Sequence, residues 1–295
     1  MHKILVTGSS GFIGRHLVSA LRSQHHEVIE ADRNKGTDLT DPDTVRGLPD
    51  VDIVVHLAAH NGTRHFYERP LDVIRDSVLP TQYLIDRYRG QIQRFVFTGT
   101  CESYAGTVDR FDWPVPTDET VPLMVDDVTN PRWSYGGSKI VNELQVTAAG
   151  HQHGMPWTII RYHNVYGPGQ RDHFIPEFLD RARGGDLSLR GWQNTRSFMY
   201  IDDAIEATML AMFDPHMQDQ ILNIGTDQEI SIQDMALLIM EVAGIQGELT
   251  LEPAPPGSVL RRQGDVTKLR DLLGFQARVD LRTGIRRTLV AHGFA

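Results

Sequence analysis

Lys3-Ile4-Leu5-Val6-Thr7-Gly8-Ser9-Ser10-Gly11-Phe12-Ile13-Gly14 passes from an aliphatic run through a glycine-rich turn into a helix start. The helix continues over residues 15–21, and the apolar side chains at 13, 17, 18 and 21 share one face. A second strand follows at Glu27–Ala31 and ends at Asp32. A right-handed crossover makes the two strands parallel, which defines one βαβ unit. Gly8, Gly11 and Gly14 are spaced G-x-x-G-x-x-G. Glycine lets the backbone turn sharply and approach a pyrophosphate, which then rests on the amides at the start of the helix, here Phe12 and Ile13. Asp32 stands eighteen residues after Gly14, placed to accept both hydroxyls of an adenosine ribose. Its carboxylate repels a 2′-phosphate, so the expected cofactor is NAD rather than NADP. Arg33 beside it is the residue that would favour NADP.

Working outward, buried-strand runs are expected at 53–57, 95–98 and 157–161, with helices at 80–89 and 138–149 between them. This alternation predicts an α/β fold with a Rossmann-like, doubly wound parallel sheet. The pattern changes after Tyr166. Isolated helices are expected at Phe174–Arg183, 204–213 and 232–242, with a proline-rich turn at 253–257. The expected division is a dinucleotide-binding domain over residues 1–165, joined by 200–225. A smaller, discontinuous substrate-binding domain takes 166–295, and the default ligand site is the cleft between them.

Composition removes other classes. With 40% apolar and 23% charged residues, the 295-residue chain can bury a core and is not disordered. Mean hydropathy is −0.29, and the apolar runs break short of the ~20 residues that a membrane span needs. Met1-His2-Lys3 leads straight into the first strand, so no signal peptide is expected. The single cysteine, Cys101, excludes an internal disulfide framework and fits a reducing, cytoplasmic compartment. A net charge of −9 argues against nucleic acid as a partner. The thirteen histidines show no metal-ligand spacing, so no metal is expected.

Tyr135-Gly136-Gly137-Ser138-Lys139 places a tyrosine and a lysine four apart on one helical face. A phenol near pKa 10 is a poor base at neutral pH, and a nearby ammonium and nicotinamide cation would stabilise its phenolate. Together with residues 7–14, Val55-His56-Leu57-Ala58-Ala59, 97–104, 161–170, 196–203, Asn223-Ile224-Gly225 and 256–268, this pair resembles the extended short-chain dehydrogenase/reductases. Within them it is most similar to the nucleotide-sugar epimerases and dehydratases. The resemblance implies that Tyr135 and Lys139 are catalytic and that Thr100 hydrogen-bonds the reacting sugar hydroxyl. It implies that Asp38 and Leu39 flank the adenine, and that Leu57, Ala58 and Ala59 form the strand end beneath the cofactor. On the substrate side it implies Asn164 against the sugar diphosphate, Arg196 on the pyrophosphate, and a second such contact from Arg261 or Arg262, with Arg261 preferred; charge-assisted contacts suit arginine at both places. A homodimer, formed through helices that include the one bearing Tyr135, is implied as well. The chain departs from the pattern at Ser77-Val78-Leu79-Pro80-Thr81, where many relatives carry Asn-Val-x-Gly-Thr, and again at residues 60–65.

Thr100-Cys101-Glu102 bears on the reaction. In dehydratases of this family the glutamate removes the C5 proton of a 4-keto sugar, and its neighbour, usually an aspartic acid, assists loss of the C6 hydroxyl. Glu102 matches that base, with Cys101 in the acid position, so a nucleotide-diphosphate-hexose dehydratase is the leading expectation. A 4-epimerase comes next, followed by a uronate decarboxylase, an NADPH-dependent carbonyl reductase and a non-catalytic dinucleotide-binding protein.

Overall fold

The computed structural model describes residues 1–60, 62–254 and 258–294. Asn61 and the Pro255-Pro256-Gly257 part of the expected turn lie outside the described residues. The chain opens β1 (Lys3–Thr7), α1 (Phe12–Ser23), β2 (Glu27–Ala31), α2 (Pro42–Arg46) and β3 (Ile53–His56). It continues through α3 (Thr63–Glu68), α4 (Pro70–Tyr88), β4 (Arg94–Thr100), α5 (Ala105–Phe111), α6 (Trp133–His153) and β5 (Trp157–Tyr162). Then come β6 (Asn164–Tyr166), α7 (Phe174–Arg183), β7 (Ser188–Arg190), β8 (Thr195–Tyr200), α8 (Ile201–Phe213) and β9 (Gln220–Ile224). The last elements are β10 (Glu229–Ser231), α9 (Ile232–Ala243), β11 (Thr250–Glu252), β12 (Arg261–Arg262), α10 (Thr267–Leu273) and α11 (Leu281–Ala291).

The main sheet runs β2-β1-β3-β4-β5-β9, with every pairing parallel. Strands β3 and β4 are buried along their whole length, the signature of a sheet covered on both faces. Strand order reverses at β1, which has β2 on one side and β3 on the other. The carboxyl ends of β1 and β3 therefore form a topological switch point, where open α/β sheets bind ligands.

Two expectations needed correction. Helix α4 starts at Pro70, ten residues before the expected start, and Pro80 lies inside it. The proline is buried and has no amide to offer the helix. The carbonyl that loses a helical donor is that of Asp76, four residues earlier, while the neighbouring Ser77 carbonyl accepts Thr81 Oγ1 at 3.0 Å and Asn142 Nδ2 at 3.2 Å. The segment after Tyr166 also holds more than helices. Strand β8 is the hub of a second sheet, pairing with β6, β10 and β12, and β7 pairs with β11. One hydrophobic cluster runs from Ile4 and Leu17 through Tyr166 to Met235 and Leu289, so this segment packs on the same core.

Helix α6 is fixed to the sheet by a buried ion pair. Arg161 of β5 donates through Nη2 to Glu143 Oε2 at 2.8 Å and through Nε to Oε1 at 3.1 Å. The two side chains are 3% and 5% exposed, and Arg161 Nη1 also reaches the Glu119 carbonyl. Removing one member of such a pair strands the other charge in a dry site. Glu143→Gln should cost about 3–5 kcal/mol in urea unfolding, and a loss below about 1 kcal/mol would contradict this reading.

Candidate active site

Two cavities meet over the carboxyl ends of β1 and β3, sharing Gly8, Gly11, Leu57 and Ala59. The smaller, about 310 Å³, is walled by Asp32, Arg33, Leu39 and Ala58. The larger, about 620 Å³, extends past Phe12, Ile13 and Gly14 to Thr100, Cys101, Glu102, Tyr135, Lys139, Asn164 and Arg196. Apart from Asp38, which lines neither cavity, the residues expected at the cofactor and at the reaction lie along these two cavities.

The glycine turn fits a dinucleotide. A Cβ on Gly14 would stand 2.1 Å from the Gly8 carbonyl oxygen, and Gly8 adopts φ +65° with the Ala58 amide 2.9 Å from where its own Cβ would sit. Only a bare backbone allows the turn to close this tightly and leave its rim open. A buried polar chain holds the opposite wall. The Ala58 amide donates to Thr7 Oγ1 at 3.1 Å, and the Thr7 hydroxyl donates to His56 Nδ1 at 2.7 Å. His56 Nε2 then donates to Thr81 Oγ1 at 3.0 Å, whose proton goes to Ser77. Burial, followed by the field of Lys139, pulls the His56 pKa down to about 3, so it stays neutral in this chain of donors. Asn142 of α6 reaches Ser77 Oγ at 2.9 Å, tying the helix that bears Tyr135 and Lys139 to the same network. Asp32 accepts the amides of Ser10 at 3.0 Å and Asn34 at 2.8 Å. Asp38 is bonded to Thr40 and Arg33.

Tyr135 lies in the first turn of α6 and is 9% exposed. Burial, with Cys101 adding to it, drives its phenol above the usual range, and Thr100 draws it back. Lys139 is 2% exposed and donates to the Thr98 carbonyl at 2.7 Å, its ammonium 4.7 Å from the Phe97 ring and 5.9 Å from that of Tyr135. Burial lowers its pKa to about 7, with Glu143 opposing the fall. Phe66 of α3 stacks on Tyr135, ring centroids 5.0 Å apart and planes 9° from parallel, and screens the phenol from water.

At the sugar end, Glu102 sits between two guanidiniums. Arg132 Nη2 donates to Oε2 at 3.2 Å and Arg262 Nη1 to Oε1. Each arginine keeps a buried Nε without a hydrogen-bond partner. Cys101 is 4% exposed and packs with Tyr104, Val108 and Val121. Asn164 Nδ2 donates to the Ser197 carbonyl at 2.9 Å, and Arg196 Nη1 to that of Thr195 at 2.7 Å. Burial brings the Arg196 pKa down to about 10, so it keeps its charge at neutral pH.

Arg261 needs correcting. Its guanidinium turns to solvent and pairs with Glu229 at 2.6 Å, whereas Arg262 lines the larger cavity. Neighbours on a strand point to opposite faces, so only one of the two can enter the cleft. Arg132 and Phe66 were not anticipated. Arg132 precedes Tyr135 by three residues and Phe66 directly follows the divergent segment 60–65, so proximity to known motifs was the available signal.

A profile of the NAD dependent epimerase/dehydratase family matches residues 4–225. The chain belongs to that family, and NAD is its cofactor. It is 30% identical to a UDP-N-acetyl-alpha-D-glucosaminuronate decarboxylase of Bacillus cytotoxicus, over 97% of this chain and 96% of the relative. It is 29% identical to a putative UDP-glucose 4-epimerase of Methanocaldococcus jannaschii, over 97% of each. Among solved structures it is similar to the UDP-glucose 4-epimerase of Thermotoga maritima bound to UDP-glucose, with a TM-score of 0.88, 26% identity and 98% of each chain covered.

The Lys139 pKa has a consequence for stability. The folded value is depressed from 10.5 to about 7, so between those values the unfolded chain binds the proton and the folded chain does not. Stability contributed by this group is lowest below pH 7 and recovers as pH rises towards 10.5. In urea unfolding of the nucleotide-free protein, Lys139→Met should be most favoured over the parent near pH 7 and lose that advantage with rising pH. A difference that stays flat with pH would contradict the burial argument.

Proposed function

We propose that the protein decarboxylates a nucleotide-activated hexuronic acid through a transient 4-keto sugar. The observation that carries this reading is the Arg132–Glu102–Arg262 cluster. Two guanidiniums share the one carboxylate of Glu102, and Arg262 lines the larger cavity, so the cluster sets a positive excess beside the sugar end of the groove. A cationic excess calls for an anion. A carboxylate on C6 of the sugar supplies one; a neutral C6 hydroxymethyl group does not.

The residues take the following roles. Arg196 and Asn164 hold the diphosphate. Thr100 and Tyr135 meet the C4 hydroxyl, and Tyr135 takes its proton while the Lys139 ammonium steadies the phenolate. NAD, when bound, supplies the hydride acceptor at C4 and a positive ring near the phenol. With a ketone at C4, the carboxylate on C5 becomes that of a β-keto acid. The C5–C6 bond breaks, carbon dioxide leaves, and its electron pair passes into the C4 carbonyl to form an enolate. Protonation at C5 and reduction of C4 complete the cycle, and no net cofactor is consumed.

This reading ranks decarboxylation above the dehydration expected from sequence. Dehydration asks Glu102 to take the C5 proton and Cys101 to give one to the departing hydroxyl. Both Glu102 oxygens already face guanidinium donors, and the thiol packs among Tyr104, Val108 and Val121. The similarity to a glucosaminuronate decarboxylase supports the same choice. The reading includes a cytoplasmic location and a homodimer; exposed Leu71 and Ile74 on α4 and Val141 and Leu144 on α6 support the latter.

The test is incubation with NAD and a panel of nucleotide-activated hexoses and hexuronates, followed by weighing of the products. Loss of carbon dioxide from a uronate is expected. A product lighter by one water makes the protein a dehydratase, and an isomer of unchanged mass makes it a 4-epimerase. Tyr135→Phe should lower turnover by at least about a hundredfold, the usual worth of a positioned acid or base, while NAD affinity stays within a few-fold. Turnover within a few-fold of the parent would remove Tyr135 from its role.

A further inference from the structure

Arg33 is the residue of the ribose rim suited to a 2′-phosphate, yet two carboxylates already hold it. Its Nη1 donates to Asp76 Oδ2 at 3.1 Å and its Nη2 to Asp38 Oδ1 at 3.2 Å. Asp76 comes from α4, far from the glycine turn in sequence, and its side chain is 6% exposed. It also takes Arg75 Nη2 at 2.8 Å and lies 3.4 Å from His60 Nδ1. Asp32, Arg33 and Asp76 all wall the smaller cavity.

We propose that Asp76 is a cofactor-specificity residue: it clamps the Arg33 guanidinium away from the ribose 2′ position and so makes the chain reject NADP. A 2′-phosphate would enter a rim already occupied by the carboxylates of Asp32 and Asp76. To meet it, Arg33 must let go of two acceptors, one of them buried. The new phosphate contact replaces charge-assisted bonds already in place, so little is gained against the repulsion from Asp32. NAD brings no group to the 2′ position that needs Arg33, and the clamp stays closed when it binds. A sequence reading of Asp32-Arg33 leaves the two cofactors in competition, and the carboxylate from α4 decides between them. The clamp also ties the turn after β2 to α4, which fixes the outer wall of the adenosine pocket.

The experiment is calorimetric titration of NAD and of NADP into nucleotide-free protein, for the parent, Asp76→Asn, Arg33→Ala and the double variant. Asp76→Asn keeps the shape of the side chain and loosens the clamp. It should tighten NADP by at least about tenfold, the worth of one charge-assisted hydrogen bond, with a smaller change for NAD. The gain should vanish in the double variant. An unchanged NADP-to-NAD ratio in Asp76→Asn overturns the proposal, as does a gain that persists without Arg33, which would reflect only the lost negative charge. Arg33→Ala alone tests the same point with Asp76 in place. NADP affinity should stay within about twofold, and a tenfold loss would show that Arg33 already serves the phosphate. Absence of NAD binding by the parent would instead count against the cofactor assignment itself.

Discussion

A lysine ammonium with almost no access to water is the constraint around which this site is built. Burial penalises the charged form, so Lys139 must be compensated from several directions at once. The Thr98 carbonyl accepts its proton, the Phe97 ring face lies beside it, and Glu143 stands one helical turn away. Each contact depends on α6 lying against β4 and β5. Glu143 in turn belongs to Arg161 of β5, so the pair that locks the helix to the sheet also tunes the field at Lys139. Phe66 then closes over Tyr135, keeping the phenol dry and protonated until a cation is brought beside it.

The groove divides its charges by task. At the adenosine end, carboxylates dominate and the guanidinium of Arg33 is consumed by two of them. At the sugar end, guanidiniums dominate and one carboxylate, Glu102, is shared by two of them. Between these ends lies a neutral hydrogen-bonded chain from Ala58 through Thr7 and His56 to Thr81. It joins the cofactor wall to α4 and, through Asn142, to the catalytic helix. Such a satisfied polar network fixes geometry without adding a charge that would disturb the ends.

The main fold was legible because its signals are local. A strand, a tight glycine turn and a helix within one short stretch leave few alternatives, and a Tyr–Lys spacing of four fixes a helical face. What escaped was set by tertiary contacts. Helix α4 extends through Pro80 with that proline buried in the packed structure, which no propensity reveals. The choice between Arg261 and Arg262 depends on which face of a two-residue strand meets the cleft, and that strand was not expected. Arg132 and Asp76 carry weight only through partners 30 and 43 residues away in sequence. The unusual segment at residues 60–65 did mark a local difference, and Phe66, the residue directly after it, reaches the site.

The central claim is that the cationic cluster around Glu102 receives the carboxylate of the sugar while Tyr135 and Thr100 receive its C4 hydroxyl. A crystal structure of the protein with NAD and a nucleotide-activated hexuronate tests it most directly. The account predicts the C6 carboxylate within hydrogen-bond distance of the Arg262 guanidinium, with the C4 hydroxyl on Tyr135. A sugar bound productively at Tyr135 whose C6 carboxylate points away from Arg262 and Arg132 would contradict it.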